Sequence, residues 1–259
     1  MPSTKEVAVE EKNVLAVLDF EADAGAGLEN ADSDSYAIPM IKILQSLSPQ
    51  CDKEDGIKGA ESGHFFNTVT NEVYDGTVGI RVIPCYFKHT FIEWVPRTSG
   101  GGYVGEYAPT DAVLSTRVRG EKGVDLLPNG NEIQDSRSHY CLLLRDDDTY
   151  EPVLLTLAMT QIPASKKWMT RMNNIRKHGR TGNLYNPPTY SHIYRLTTVK
   201  RENEKGKWRV LEVNMETEIK DTALYLAAKD FHSKVVEGKV REKHEAPSDQ
   251  AEYDADIPF

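Results

Sequence analysis

The chain has 259 residues, enough for one sizeable domain or two small ones. It is 39% apolar and 27% charged, and no apolar run approaches the roughly 18 residues that a membrane span needs. Three cysteines (Cys51, Cys85, Cys141) in no CxxC spacing exclude a disulfide framework and a zinc knuckle, and predict buried free thiols. The formal net charge of −9 hides a segregation. Residues 1–35 hold nine acids against two bases, and residues 237–259 hold seven against three. Residues 160–210 carry twelve Lys/Arg against two Glu, a net of +10. An acidic arm, a body with a basic sector and an acidic tail is the pattern of a protein with a polyanionic partner.

In chain order, residues 1–35 are rich in Glu, Asp, Ala, Gly and Ser, which predicts a disordered arm with a short helix around Val14–Phe20. The start, Met1–Glu11, is acidic and lacks a basic-then-apolar signal pattern, so the chain reads as cytoplasmic. IPMIKILQSL (38–47) predicts a short helix with Pro39 in its first turn, ended by Ser48-Pro49. Residues 64–74 predict a small hairpin about Thr70-Asn71. Gly79 to Pro96 is one long β-branched and aromatic run, too long for an average strand; Pro84 predicts a bend or bulge within it. Residues 97–123, with Gly100-Gly101-Gly102, read as an insertion loop.

Asn129-Gly130 predicts a hairpin turn. His139–Arg145 and Glu151–Thr160 read as strands joined by the turn Asp146–Asp148, with Val153, Leu155, Leu157 and Met159 on one face. Residues 163–178 read as a helix, with Trp168, Met172 and Ile175 on its buried stripe and cations on its other faces. Gly179 and Gly182 stop it. Tyr190–Lys200 and Trp208–Glu216 follow as partner strands, the second with Leu211, Val213 and Met215 inward. A last amphipathic helix covers Ile219–Val236, with Leu224, Leu226, Ala227, Phe231 and Val235 available for packing. From residue 79 the order is three strands, a helix, two strands and a helix. It predicts a mainly β, α+β domain over 36–236: a five-stranded OB-fold barrel with an inserted loop region and a C-terminal helix.

Cations interleaved with aromatics are what hold single strands, because cations offset phosphate charge and release counterions while ring faces stack on unpaired bases. The candidates are Lys166, Lys167, Arg171, Arg176, Lys177, Arg180, Arg195 and Lys200, with Tyr185, Tyr190 and Tyr194. The long strand adds Lys88, Phe91, Trp94 and Arg97. Trp168, at helical spacing with Met172, belongs to the core instead. No chemistry-bearing constellation emerges. GGGYVG (100–105) lacks a following helix and a Lys-Ser/Thr. Asp146–Asp148 lacks the Gly and distal Glu of a calcium loop. His139 and Cys141 are placed on opposite faces of their strand and so make no local pair. No catalytic, metal or cofactor site is expected.

The last residues, Asp254-Ala255-Asp256-Ile257-Pro258-Phe259, resemble the acidic tip of bacterial single-stranded DNA-binding proteins, which ends Asp-Asp-Asp-Ile-Pro-Phe; five of six positions match and Ala255 replaces an acid. The longer body is similar to phage single-stranded DNA-binding proteins, in which an OB-fold precedes an acidic tail ending in an aromatic. IPMIKILQSLSPQ (38–50) and LPNGNEI (127–133) also resemble segments of phage proteins of this kind. The resemblance implies a non-enzymatic protein that coats unwound DNA in replication, recombination or repair, in the host cytoplasm if phage-encoded. It implies that Ile257, Pro258 and Phe259 form a knob presented to replication and repair partners, with Asp254 and Asp256 meeting basic residues around it. A strand-annealing mediator is the alternative, and a DNA-processing enzyme a more distant one; homo-oligomerisation is left open.

Overall fold

A computed structural model describes residues 19–31, 35–120, 123–147, 149–204 and 206–240. The chain divides into two units, 1–36 and 37–259. In the first, residues 19–31 form successive turns, such as Asp23 N–H to Asp19 C=O at 3.2 Å and Ala26 N–H to Asp23 C=O at 3.0 Å. The expected helix around Val14–Phe20 falls almost wholly outside the described residues, and the tip at Asp254–Phe259 does so entirely.

The second unit is mainly β with two helices. Its strands are β1 (Ile41–Ile43), β2 (Phe65–Asn67), β3 (Val73–Tyr74), β4 (Ile80–Val95), β5 (Gly102–Tyr107), β6 (Val118–Arg119), β7 (Asp125–Leu126), β8 (Glu132–Leu144) and β9 (Tyr150–Ala158). Helix α1 (Ile162–Asn174) comes next. Then follow β10 (Lys177–His178), β11 (Leu184–Tyr185), β12 (His192–Asn203), β13 (Gly206–Glu218) and helix α2 (Thr222–Val236). Five long strands make a curled antiparallel sheet in the order β13-β12-β4-β8-β9. β1, β2 and β3 form a small sheet of their own.

The 16-residue β4 is the spine. β8 pairs with nearly all of it, while its other side is divided: Ile80–Val82 pair with β12, and Phe91–Val95 pair with β5. The register shifts between Pro84 and Tyr86, which lets a residue without an N–H sit inside a central strand. Both faces of the sheet are covered, so its strands read as nearly continuous apolar runs. On one face, Trp168 and Met172 of α1 pack over Val82, Cys141, Leu155 and Leu196. On the other, Ala228, Phe231 and Val235 of α2 pack over Ile83, Cys85 and Leu142.

Several expectations need correction. IPMIKILQSL is extended, not helical. Ile41 and Ile43 pair with Asn67 and Phe65, and Met40 bridges in parallel to Leu154 while the Leu154 N–H donates to the Pro39 carbonyl at 2.8 Å. Two neighbouring strands offer this segment backbone partners, and that overrides a helical apolar spacing. The insertion after β4 is not a free loop, because β5 pairs with β4 and Glu93 ties the region together. Its buried carboxylate accepts from Tyr107 Oη (2.5 Å), Asn129 Nδ2 (2.8 Å) and Asn131 Nδ2 (2.5 Å). Desolvation pushes this carboxyl up, but those bonds outweigh it and hold it below the ordinary value. His139 and Cys141, two apart on β8, share a face rather than opposing each other. Leu226 and Met215 are exposed, each at 55%, because periodicity sets the face and not how far the cover extends. Cys51 is partly exposed, while Cys85 and Cys141 are buried as expected.

The outer edge of β13 is closed by side chains. Gln45 Nε2 donates to the Arg209 carbonyl at 3.0 Å, and its Oε1 accepts from the Arg209 N–H at 2.8 Å. Gln161, just before α1, donates to the same carbonyl at 2.8 Å and accepts from the Leu211 N–H at 2.9 Å. Arg171 donates to the Val213 carbonyl. Each amide offers a donor and an acceptor, as a paired strand would. Gln161→Ala is expected to cost about 1–2 kcal/mol, read as a lowered urea midpoint at unchanged slope.

Candidate nucleic-acid interface

Helix α1 begins with Pro163 in its first turn and presents two stripes. Trp168 and Met172, four apart, are buried; Lys167 and Arg171, also four apart, lie on the neighbouring exposed stripe with Lys166 beside them. The helix is pinned by a buried column. His139 stacks on Trp168 with ring centroids 4.6 Å apart and planes at 14°, and its Nε2 meets Ser165 Oγ at 2.8 Å. Trp168 then meets Tyr194 edge-on at 5.7 Å. Burial, and next the charge of Arg137, push the His139 imidazole down to about 3, so it is neutral near pH 7.

With α1 fixed, its cations and the β12–β13 hairpin together line a cleft of about 330 Å³. Lys167 and Arg171 come from the helix, Arg201 from β12 and Trp208 from β13. Arg201 and Trp208 are directly paired across the strands, as are Val199 and Val210. Trp168 also lines the cleft, and Glu212 is the one acid among its lining residues. The result is a half-buried indole and an apolar wall rimmed by three cations.

Ion pairing separates these cations from the others. Lys88 is held by Glu106 at 2.8 Å, Arg195 by Glu216 at 3.5 Å and Lys200 by Glu202 at 3.0 Å; Lys177 pairs with Glu218. Lys166, Lys167, Arg171, Arg176, Arg180 and Arg201 form no ion pair among the described residues. Arg176 instead donates to the carbonyl of Ile175 at 2.9 Å. Arg97 is exposed in a short 3-10 turn.

The aromatic candidates divide in the same way. Trp94 (3% exposed) and Tyr194 (1%) are core residues, and neither turns a ring face to solvent. Burial pushes the Tyr194 hydroxyl up to about 12. Phe91 is half-buried beneath the Arg117 guanidinium, 5.1 Å from the ring centroid. Tyr190 packs on Tyr225 and His232 at 5.6 and 5.4 Å. Tyr185 is exposed at 46%. Trp208 is absent from the sequence-based set, although its position carries a signal. It stands three residues before Leu211, so alternation puts it on the opposite face from Leu211 and Val213. No metal-binding group of His, Cys, Asp or Glu exists among the described residues.

Comparison with family models matches residues 8–241 to the family described as Pam3 phage gp34-like protein, and the chain belongs to that family. Searches of curated proteins and of solved structures give no match.

The neutral buried His139 makes stability pH-dependent. Its folded value lies below the unfolded 6.5, so the unfolded chain binds the extra proton between the two. This contribution is complete above about pH 6.5 and is lost as pH falls toward about 3. Urea midpoints measured across that window should fall with acidification, and the slope should shrink in His139→Phe.

Proposed function

We propose that this phage-family protein is a non-enzymatic single-stranded DNA-binding protein of OB-fold type. The observation that carries the proposal is the α1/β13 cleft, whose lining combines a partly buried indole with three cations that form no ion pair among the described residues. Phosphates need the first and an unpaired base needs the second, whereas a base stacked inside a duplex offers no face to Trp208.

The OB-fold part draws support from strand adjacency. Taking β4, β8, β9, β12 and β13 as strands one to five, the pairs one–two, two–three, four–one and four–five are all present, and α1 lies between strands three and four. Between strands three and five no ladder exists among the described residues. Residues 39–45 reach across there, from the Leu154 N–H to the backbone of Arg209. The acidic tip Asp254–Phe259 serves in this account as the recruiting segment for replication and repair partners. Its two acids and one apolar knob suit a basic-rimmed pocket on another protein.

Filter binding of oligo-dT against duplex DNA across a salt series tests the proposal. Oligo-dT should bind more tightly, with affinity falling as salt rises. The double variant Lys167→Ala/Arg201→Ala should flatten the log–log slope by about 1.4, roughly 0.7 for each lost phosphate contact. Equal affinity for the two nucleic acids at low salt, or no binding of either, would sink it.

A further inference from the structure

The segment after α1 was expected to be the end of a helix followed by glycines. It is instead a free-standing ribbon. β10 and β11 pair only with each other, with Lys177 opposite Tyr185 and His178 opposite Leu184. The tip is a tight turn: Gly182 N–H donates to the Gly179 carbonyl at 2.9 Å and Gly179 N–H to the Asn183 carbonyl at 2.8 Å, with Gly182 at φ +81°. The base is secured to α1. Asn186 Nδ2 donates to carbonyls at the end of the helix, Met172 at 3.1 Å and Asn173 at 3.3 Å, and to that of Ile175 just beyond it at 2.9 Å. Lys177 pairs with Glu218 of β13.

What this ribbon displays is unusual for a surface. Leu184 is 60% exposed and Tyr185 46%. As neighbours on a strand they point to opposite faces, so each face carries one apolar or aromatic side chain and one basic neighbour, His178 or Lys177. A two-stranded ribbon is marginal by itself, and packing one face would be the ordinary remedy. Here neither face is packed. The charge indicates the partner: residues 173–191 contain three cations and no acid, and Arg176 and Arg180 form no ion pair among the described residues. Arg171, the last cleft cation on α1, lies one turn before the helix end at Asn174, so a strand leaving the cleft arrives at the ribbon.

The geometry points to the β10–β11 ribbon as a wedge that engages the fork where duplex DNA opens into single strands. It rests on the nucleic-acid reading of the cleft and extends it from the strand to the junction. At a fork, two diverging strands meet a two-sided ribbon on both faces. Leu184 and Tyr185 lie against the last base pair and the first unpaired base, and Arg180 at the tip meets phosphate. Apolar and aromatic side chains set against an opened step are the usual means of holding a duplex end apart.

Fluorescence anisotropy with a labelled forked duplex, the single strand of its arm and the blunt duplex tests this. The fork should bind about tenfold more tightly than the single strand. The double variant Leu184→Ser/Tyr185→Ala should lose that preference, with fork affinity falling to that of the single strand. Both side chains are exposed, and circular dichroism checks that the variant is folded. Arg180→Ala, as a second variant, should lower fork affinity more than single-strand affinity. Equal affinity of the wild type for fork and single strand, or a preference that survives the double variant, overturns the wedge and leaves the cleft standing. Fork binding without single-strand binding supports the wedge and overturns the cleft. Binding of neither overturns both.

Discussion

The outer edge of β13 has to be covered, and the manner of covering it sets the position of nearly everything that matters for function. An open strand edge presents backbone donors and acceptors that would otherwise pair with another chain. Gln45 and Gln161 each supply one donor and one acceptor to that edge, and Arg171 supplies a further donor. Gln161 immediately precedes α1, so satisfying the edge also decides where the helix starts. The His139–Trp168–Tyr194 column then fixes its rotation. Lys167 and Arg171 are thereby held in the lining of the cleft to which Arg201 and Trp208 also contribute. A stability device and the proposed binding surface are built from the same few residues.

Electrostatics sharpen that surface by difference rather than by total. The chain as a whole is acidic, yet the cations on α1, at the ribbon tip and at Arg201 are left without acid partners among the described residues. Several cations elsewhere are neutralised, as in Lys88 with Glu106, Arg137 with Asp135 and Arg145 with Glu72. Arg145 makes two hydrogen bonds to Glu72, at 2.9 and 2.8 Å, and holds its carboxyl down at about 2. Such pairs tie strands together and leave little field for a ligand. Unpaired cations around an apolar wall do the reverse, which is why position in the fold, and not net charge, singles out the cleft.

Much of the sheet was legible in the residues. The long run at 79–96, the Asn129-Gly130 turn and the strands on either side of α1 follow from β-branched content, alternation and turn chemistry. The burial of Trp168 follows from its spacing with Met172. Less legible were features that depend on distant partners. Residues 38–47 became extended because β2 and β9 lie beside them, and the ribbon at 177–185 depends on Asn186 capping the helix that precedes it. The candidate binding residues were legible as a sector but not one by one. Charge counts identified α1, while the burial of Trp94 and Tyr194 and the partial exposure of Trp208 depended on which face each strand turns inward.

The central claim is that Trp208 lies against an unpaired base in a cationic cleft. The chain has three tryptophans: Trp94 lies in the core, Trp168 is buried in the wall of the cleft, and Trp208 is the partly exposed one on which a base would stack. Titration with oligo-dT at low salt should quench the emission of the wild type and leave that of Trp208→Phe nearly unchanged. Equal quenching in the two proteins would contradict the account, and so would oligo-dT binding that leaves the wild-type emission unaltered.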